Sequence, residues 1–158
     1  MEWARIGGVA TVGLTALLIL RAYKPEWAPF LRMAVTVVAL GLTVALATNP
    51  IFPMVAQTQR LSWAGLKEND FIHITAYENS RHCKPNPEYY KDIMAELNLG
   101  PEECVMVGND VGEDMIAEKL GMKVFLLTDC LINRKNEDIS KYPHGGFDEL
   151  KVFLDGLE

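Results

Sequence analysis

Twelve residues, CVMVGNDVGEDM at 104–115, lead an apolar run through Gly108 into three carboxylates, Asp110, Glu113 and Asp114. Carboxylates crowded beside a low-dielectric core repel one another and cost free energy unless a cation sits among them. Hard oxygen donors of this kind suit a hard divalent cation. Two further polar groups stand upstream: Thr48 and Asn49 follow the apolar stretch VALA, and Lys84 lies in the segment CKPNP. A hydroxyl, an amide, an ammonium and a pair of acids form a set suited to phosphate and magnesium: donors for phosphoryl oxygens, a positive charge where negative charge develops, and oxygen ligands for the metal. Each also has an ordinary structural use. Thr48-Asn49-Pro50 has the composition of a turn and cap, a lone loop lysine is usually solvated, and acids in the first turn of a helix favour the positive end of its dipole with no metal. Their order along the chain, each at the end of a strand-like run, is what sets them apart. Glu113 reads as a surface residue.

Bringing such residues together needs strands that end on one side. From about residue 42 the pattern alternates: TVALATN reads as a short strand, MVAQTQRLSWAGL has helical spacing, and DFIHITAY is again strand-like. NPEYYKDIMAELNLG starts a helix with Asn86 as cap and Pro87 in the first turn, and ends it at Gly100. ECVMVGND is a strand, VGEDMIAEKLG a helix stopped by Gly121, KVFLLTD a strand, and FDELKVFLDG a last helix. Strands alternating with helices imply right-handed crossovers and a parallel sheet. In such sheets the chemistry gathers at the carboxyl ends of the strands, where Thr48, Asn49, Lys84, Asn109, Asp110 and Asp114 fall.

The chain has 158 residues, 49% of them hydrophobic, which suits one ordinary domain with a sizeable core. Its formal charge of −6 leaves no basic stripe for nucleic acid. Cys83, Cys104 and Cys130 are odd in number and lack zinc-like spacing, so they read as reduced packing residues in a cytosolic setting. The charge is uneven: residues 1–50 hold only Arg5, Arg21, Lys24 and Arg32 against Glu2 and Glu26, so the excess of acid lies beyond them. That first part also contains two uncharged runs, IGGVATVGLTALLIL at 6–20 and MAVTVVALGLTVALAT at 33–48. Both are shorter than the roughly 20 residues of a membrane-spanning helix. The first fits a signal peptide only in part, because no cleavage site comes after Leu20; a transmembrane or interfacial helix and a buried core helix both stay open. The second cannot be half a membrane helix and also the strand that presents Thr48, and the motifs downstream favour the strand. Membrane association is then expected through residues 6–20, and the basic loop of Arg21, Lys24 and Arg32 places the remainder of the chain in the cytoplasm.

Three stretches carry a family resemblance. VALATNP, CKPNPEYY and VMVGNDVGEDMIAEKLGMKVFLLTD resemble the second, third and fourth motifs of the haloacid dehalogenase (HAD) superfamily, spaced as in its small phosphatases. The resemblance covers residues 42–158 and implies an α/β fold: an incomplete Rossmann-like parallel sheet with flanking helices, here preceded by an apolar helical segment. It further implies a magnesium-dependent phosphohydrolase acting on a small phosphorylated metabolite. Thr48 would bind the phosphoryl group with Asn49 beside it, and Lys84 would neutralise nucleophile and phosphate. Mg2+ would be held by Asp114 together with Asn109 or Asp110, the register leaving both open.

The superfamily's first motif, an Asp-x-Asp carrying the nucleophile and its acid–base partner, has no counterpart, since no aspartate precedes Asp70. The usual cap is also missing. Residues 1–40 instead resemble the amino-terminal part of the stage III sporulation protein AD family, small membrane proteins of spore formers. The expected organisation is a fusion: an apolar leader over 1–41, then a truncated HAD-like core over 42–158. Its expected behaviour is that of a phosphatase-like module inactive as given, the alternative being a non-catalytic, membrane-attached protein.

Overall fold

A computed structural model of the chain describes residues 43–157, and their contacts divide them into two compact units. The apolar leader expected over 1–41 and the sporulation-like resemblance lie outside the described residues.

The first unit comprises 43–48 and 52–78. Strand β1 (Ala45–Leu46) pairs in parallel with β2 (His73–Ile74), Ala45 opposite His73 and Leu46 opposite Ile74. The end of the second apolar run is thus a strand, as the motifs required. Between them runs helix α1 (Met54–Trp63), which buries Gln57 and Leu61 on one stripe continued by Ala64, the i, i+4, i+7 spacing of an amphipathic helix. It stops where Gly65 enters the left-handed region at φ 74° and its N–H bonds back to the Ser62 carbonyl at 3.0 Å.

The second unit comprises 49–51 and 79–157. Helix α2 (Pro87–Leu97) begins as expected: Asn86 Oδ1 accepts from the Glu88 N–H at 3.0 Å, and Pro87 occupies a first position that needs no donor. Its end is earlier than expected. Asn98, not Gly100, takes the left-handed conformation, φ 54°, and Leu99 N–H bonds to the Met94 carbonyl at 2.9 Å. Strands β3 (Val105–Gly108), β4 (Lys123–Leu127) and β5 (His144–Gly145) form a parallel sheet in that order. Val124 to Leu127 are all buried, the run of burial expected for a parallel strand covered on both faces. Helix α3 (Phe147–Asp155) buries Phe147, Leu150 and Leu154, and Phe153 lies 5.1 Å ring to ring from Phe125 of β4.

The helix expected over 111–121 is instead a turn at 111–114 followed by 3₁₀ helix from Met115 to Leu120, ended by Gly121 at φ 95°. The cysteines are free, but only Cys104 and Cys130 are half-buried, burial raising both thiols. Cys83 is exposed and is no packing residue, a correction to the expectation for all three.

Candidate functional site

The loop after β3 is built around two aspartates. Asp114 Oδ2 accepts from the backbone N–H groups of Asn109 and Asp110 at 3.0 and 2.9 Å. Asp110 Oδ1 accepts from those of Gly112 and Glu113 at 2.9 and 3.0 Å. The Gly112 and Glu113 amides lie where a helix's first donors have no intrahelical partner, so Asp110 caps them, and the Asp114 N–H bonds back to the Asp110 carbonyl at 2.9 Å. Each carboxylate then meets a cation through its other oxygen: Asp114 Oδ1 accepts from Lys84 Nζ at 2.6 Å, and Asp110 Oδ2 from Arg134 Nη1 at 2.5 Å. Negative charge near the core is thereby offset within the chain.

Gly108, last residue of β3, makes the arrangement possible. A β-carbon there would stand 2.5 Å from Asp114 Cβ, well inside van der Waals contact. Gly108→Ala is expected to push Asp114 off the loop amides and to lower stability by about 1–3 kcal/mol, the usual cost of overpacking. Thermal unfolding with Gly112→Ala as control measures this; equal losses in the two variants would argue against the close approach.

Lys84, joined to Pro85 by a cis peptide bond, precedes α2 and is buried, its side chain 7% exposed. Its ammonium stands 5.8 and 5.9 Å from the ring centroids of Tyr89 and Tyr90 in that helix. Tyr90 Oη donates to the Glu113 carbonyl at 2.8 Å. Burial, with Asp114 next in importance, raises the Tyr90 hydroxyl far above its ordinary value, so it remains a protonated donor. Asn109 Nδ2 donates to the Cys130 carbonyl at 2.7 Å. Asn49 Nδ2 reaches Glu113 Oε2 at 3.4 Å, while Asn49 Oδ1 is buried and accepts no hydrogen bond among the described residues.

The second unit therefore brings together Asn49, Lys84, Asn109, Asp110 and Asp114. Thr48 belongs to the first unit, where its N–H donates to Thr75 Oγ1 at 2.9 Å and its carbonyl accepts from that hydroxyl at 2.7 Å. Glu113 is not the surface residue expected; it is half-buried and bonded to Asn49, Tyr90 and the Asp110 carboxylate. Sequence reasoning missed Tyr90 and Arg134. Tyr90 carried a signal, a polar-tipped aromatic on the buried face of α2; Arg134 carried none.

The haloacid dehalogenase-like hydrolase family matches residues 18–121, well over half of the chain. The chain belongs to that family. The match begins upstream of the boundary expected at 41/42 and includes part of the apolar segment. Among curated proteins, the phosphatase-like protein YhcW of Bacillus subtilis is 31% identical over 88 residues, 56% of this chain and 39% of the relative. The chain thus spans well under half the length of that relative. Among solved structures, a HAD phosphatase from Thermococcus onnurineus aligns with a TM-score of 0.59 at 23% identity, over 78% of this chain and 55% of the other. The HAD-type hydrolase YfnB from Bacillus subtilis, described as bound to magnesium, aligns with a TM-score of 0.59 at 21% identity, over 72% and 50%. These likenesses establish the HAD-like α/β fold.

Magnesium is the cation this hydrolase family implies, and the donor set fits it in kind. A carboxylate oxygen offers about two lone-pair directions. Asp110 Oδ1 and Asp114 Oδ2 have both filled by backbone amides, whereas Asp110 Oδ2 and Asp114 Oδ1 each take one side-chain cation. Asn49 Oδ1 adds a buried neutral oxygen that accepts from no donor among the described residues. Among the described residues no group of three or more His, Cys, Asp or Glu side chains is gathered for a metal, so the HAD-like set is sparse. No helix among the described residues is long and apolar enough to cross a membrane; residues 6–20 lie outside them.

Proposed function

We propose that this chain binds Mg2+ and the phosphate group of a small phosphorylated metabolite with the layout of a HAD phosphatase, and that its 158 residues do not by themselves hydrolyse phosphate esters. The observation that carries the reading is the Lys84–Asp114 pair, 2.6 Å apart with both side chains 7% exposed. A buried lysine needs an anion, and one of its three donors is directed to Asp114. The remaining donors suit phosphoryl oxygens, so Lys84 would hold and partly neutralise a phosphate. Asn49 would stand beside it, and Thr48, by the family resemblance, would donate its hydroxyl. Asp114 with Asp110, or with Asn109, would hold magnesium, which when bound supplies positive charge against the phosphoryl oxygens. Tyr90 would hold the Glu113 turn in place.

Few charged ligands make a weak magnesium site, because the ion dehydrates reluctantly and ordinarily needs carboxylates and phosphate together. Calorimetric titration with MgCl2 is expected to give about millimolar affinity, tighter in the presence of inorganic phosphate. Lys84→Ala should weaken phosphate about tenfold or more, the loss of one charge-assisted hydrogen bond. A tight magnesium site that survives Asp114→Ala would overturn the assignment.

A further inference from the structure

Arg134 sits on a loop fastened to the acidic turn. Ile132 N–H donates to the Asn109 carbonyl at 2.8 Å and Val111 N–H to the Ile132 carbonyl at 3.0 Å, a parallel bridge that aligns Asp110 with Ile132. The loop is also closed on itself: Asn133 Oδ1 accepts from the Glu137 N–H at 2.9 Å and its Nδ2 donates to the Glu137 carbonyl at 2.8 Å. From this mount Arg134 delivers Nη1 to Asp110 Oδ2 at 2.5 Å. The two partners differ in setting, Asp110 being 8% exposed and Arg134 65%. Asp110 cannot turn to water for solvation, whereas Arg134 can leave at little cost to itself. A second anion stands ready for it, since Nη1 is 4.0 Å from Glu113 Oε1, a carboxylate one-third exposed.

We infer that Arg134 competes with a divalent cation for Asp110 Oδ2: cation binding displaces the guanidinium from Asp110 toward Glu113, and Arg134 thereby sets how weakly the site holds its metal. This rests on the proposed magnesium site. Its distinguishing consequence is a sign. A residue that merely supports a ligand weakens metal binding when removed. A competing cation tightens it, because both the exchange and the repulsion between Arg134 and the incoming ion disappear.

The test is calorimetric titration of the full chain with MgCl2 at low ionic strength, where surface charge is least screened. Arg134→Gln is expected to bind about tenfold more tightly, a discounted effect for an exposed charge. Arg134→Lys, which keeps the charge, should stay within about twofold of the unmodified chain. Lys135→Gln, one residue along the same loop, controls for net charge and should change affinity far less. Thermal unfolding supplies a second readout: Arg134→Gln should be the less stable chain without magnesium and show the larger magnesium-induced rise in Tm, since the ion then supplies the counter-charge that Arg134 gave to Asp110. Equal or weaker binding by Arg134→Gln, together with loss of binding in Asp110→Asn, would overturn the competition while leaving the metal site standing. Affinity unchanged by both Asp110→Asn and Asp114→Asn, or no binding by any variant, would overturn the site and the competition together.

Discussion

With an aryl phosphate and MgCl2, the unmodified chain is expected to release phosphate no faster than Lys84→Ala or Asp114→Ala. Covalent phosphoryl transfer needs a carboxylate in line with phosphorus, and removal of a catalytic nucleophile costs on the order of a million-fold in rate. Within these 158 residues no aspartate precedes Asp70. Asp70 itself caps a turn at the surface, its Oδ2 accepting from the Lys67 N–H at 2.7 Å. Asp110 and Asp114 are no substitutes, because every oxygen they carry already accepts a hydrogen bond from a backbone amide, Lys84 or Arg134. Such oxygens are weakened as nucleophiles by the same contacts that hold them. Lys84 and Asn49 could still bind a phosphate, but binding alone does not lower a barrier. Phosphate release by the unmodified chain that both substitutions abolish would overturn this. It would mean that another carboxylate, Glu26 or one from a second chain, reaches the phosphate.

What the sequence made legible is what depends on neighbours along the chain. Asn86-Pro87 announced the start of α2, the runs VMVG and KVFLL announced β3 and β4, and Lys84, Asp110 and Asp114 each fell in a segment that follows a strand-like run. The errors arise where tertiary contacts decide. VGEDM has helical composition, but 111–114 form a turn and Met115–Leu120 wind as 3₁₀ helix, a difference the composition does not show. Strand β5 is only His144 and Gly145, which gain their ladder from β4 and show no alternation of their own. Arg134 lies 24 positions from Asp110, and only the bridge between Asp110 and Ile132 brings it close. Glu113 looked solvated because an acid in a polar loop ordinarily is; its bonds to Asn49 and Tyr90 come from segments far away in the chain.

Asp114→Ala is expected to cost about 3–5 kcal/mol, the range for removing one partner of a buried ion pair. Two losses combine. The Lys84 side chain, 7% exposed, would keep its charge with no anion beside it, and the N–H groups of Asn109 and Asp110 would lose the oxygen to which both donate. Asp114→Asn separates these effects, for its amide oxygen can still accept from the two loop N–H groups while its –NH2 faces Lys84 as a second donor. Lys84→Met alone leaves a buried carboxylate that retains both backbone bonds, so its cost should be lower than that of Asp114→Ala. Combining Lys84→Met with Asp114→Asn removes both charges together, and the double variant should recover about 2 kcal/mol relative to the sum of the single losses, as contacting partners do. The exposed pair His82–Asp92, 2.9 Å apart with side chains 36% and 45% exposed, provides the contrast: Asp92→Ala should cost less than about 1 kcal/mol. Denaturant midpoints of the five variants against the unmodified chain measure all of this. If Asp114→Ala costs no more than Asp92→Ala, or if the two charge-removing changes simply add, the pair does not hold the loop and the phosphate reading loses its anchor.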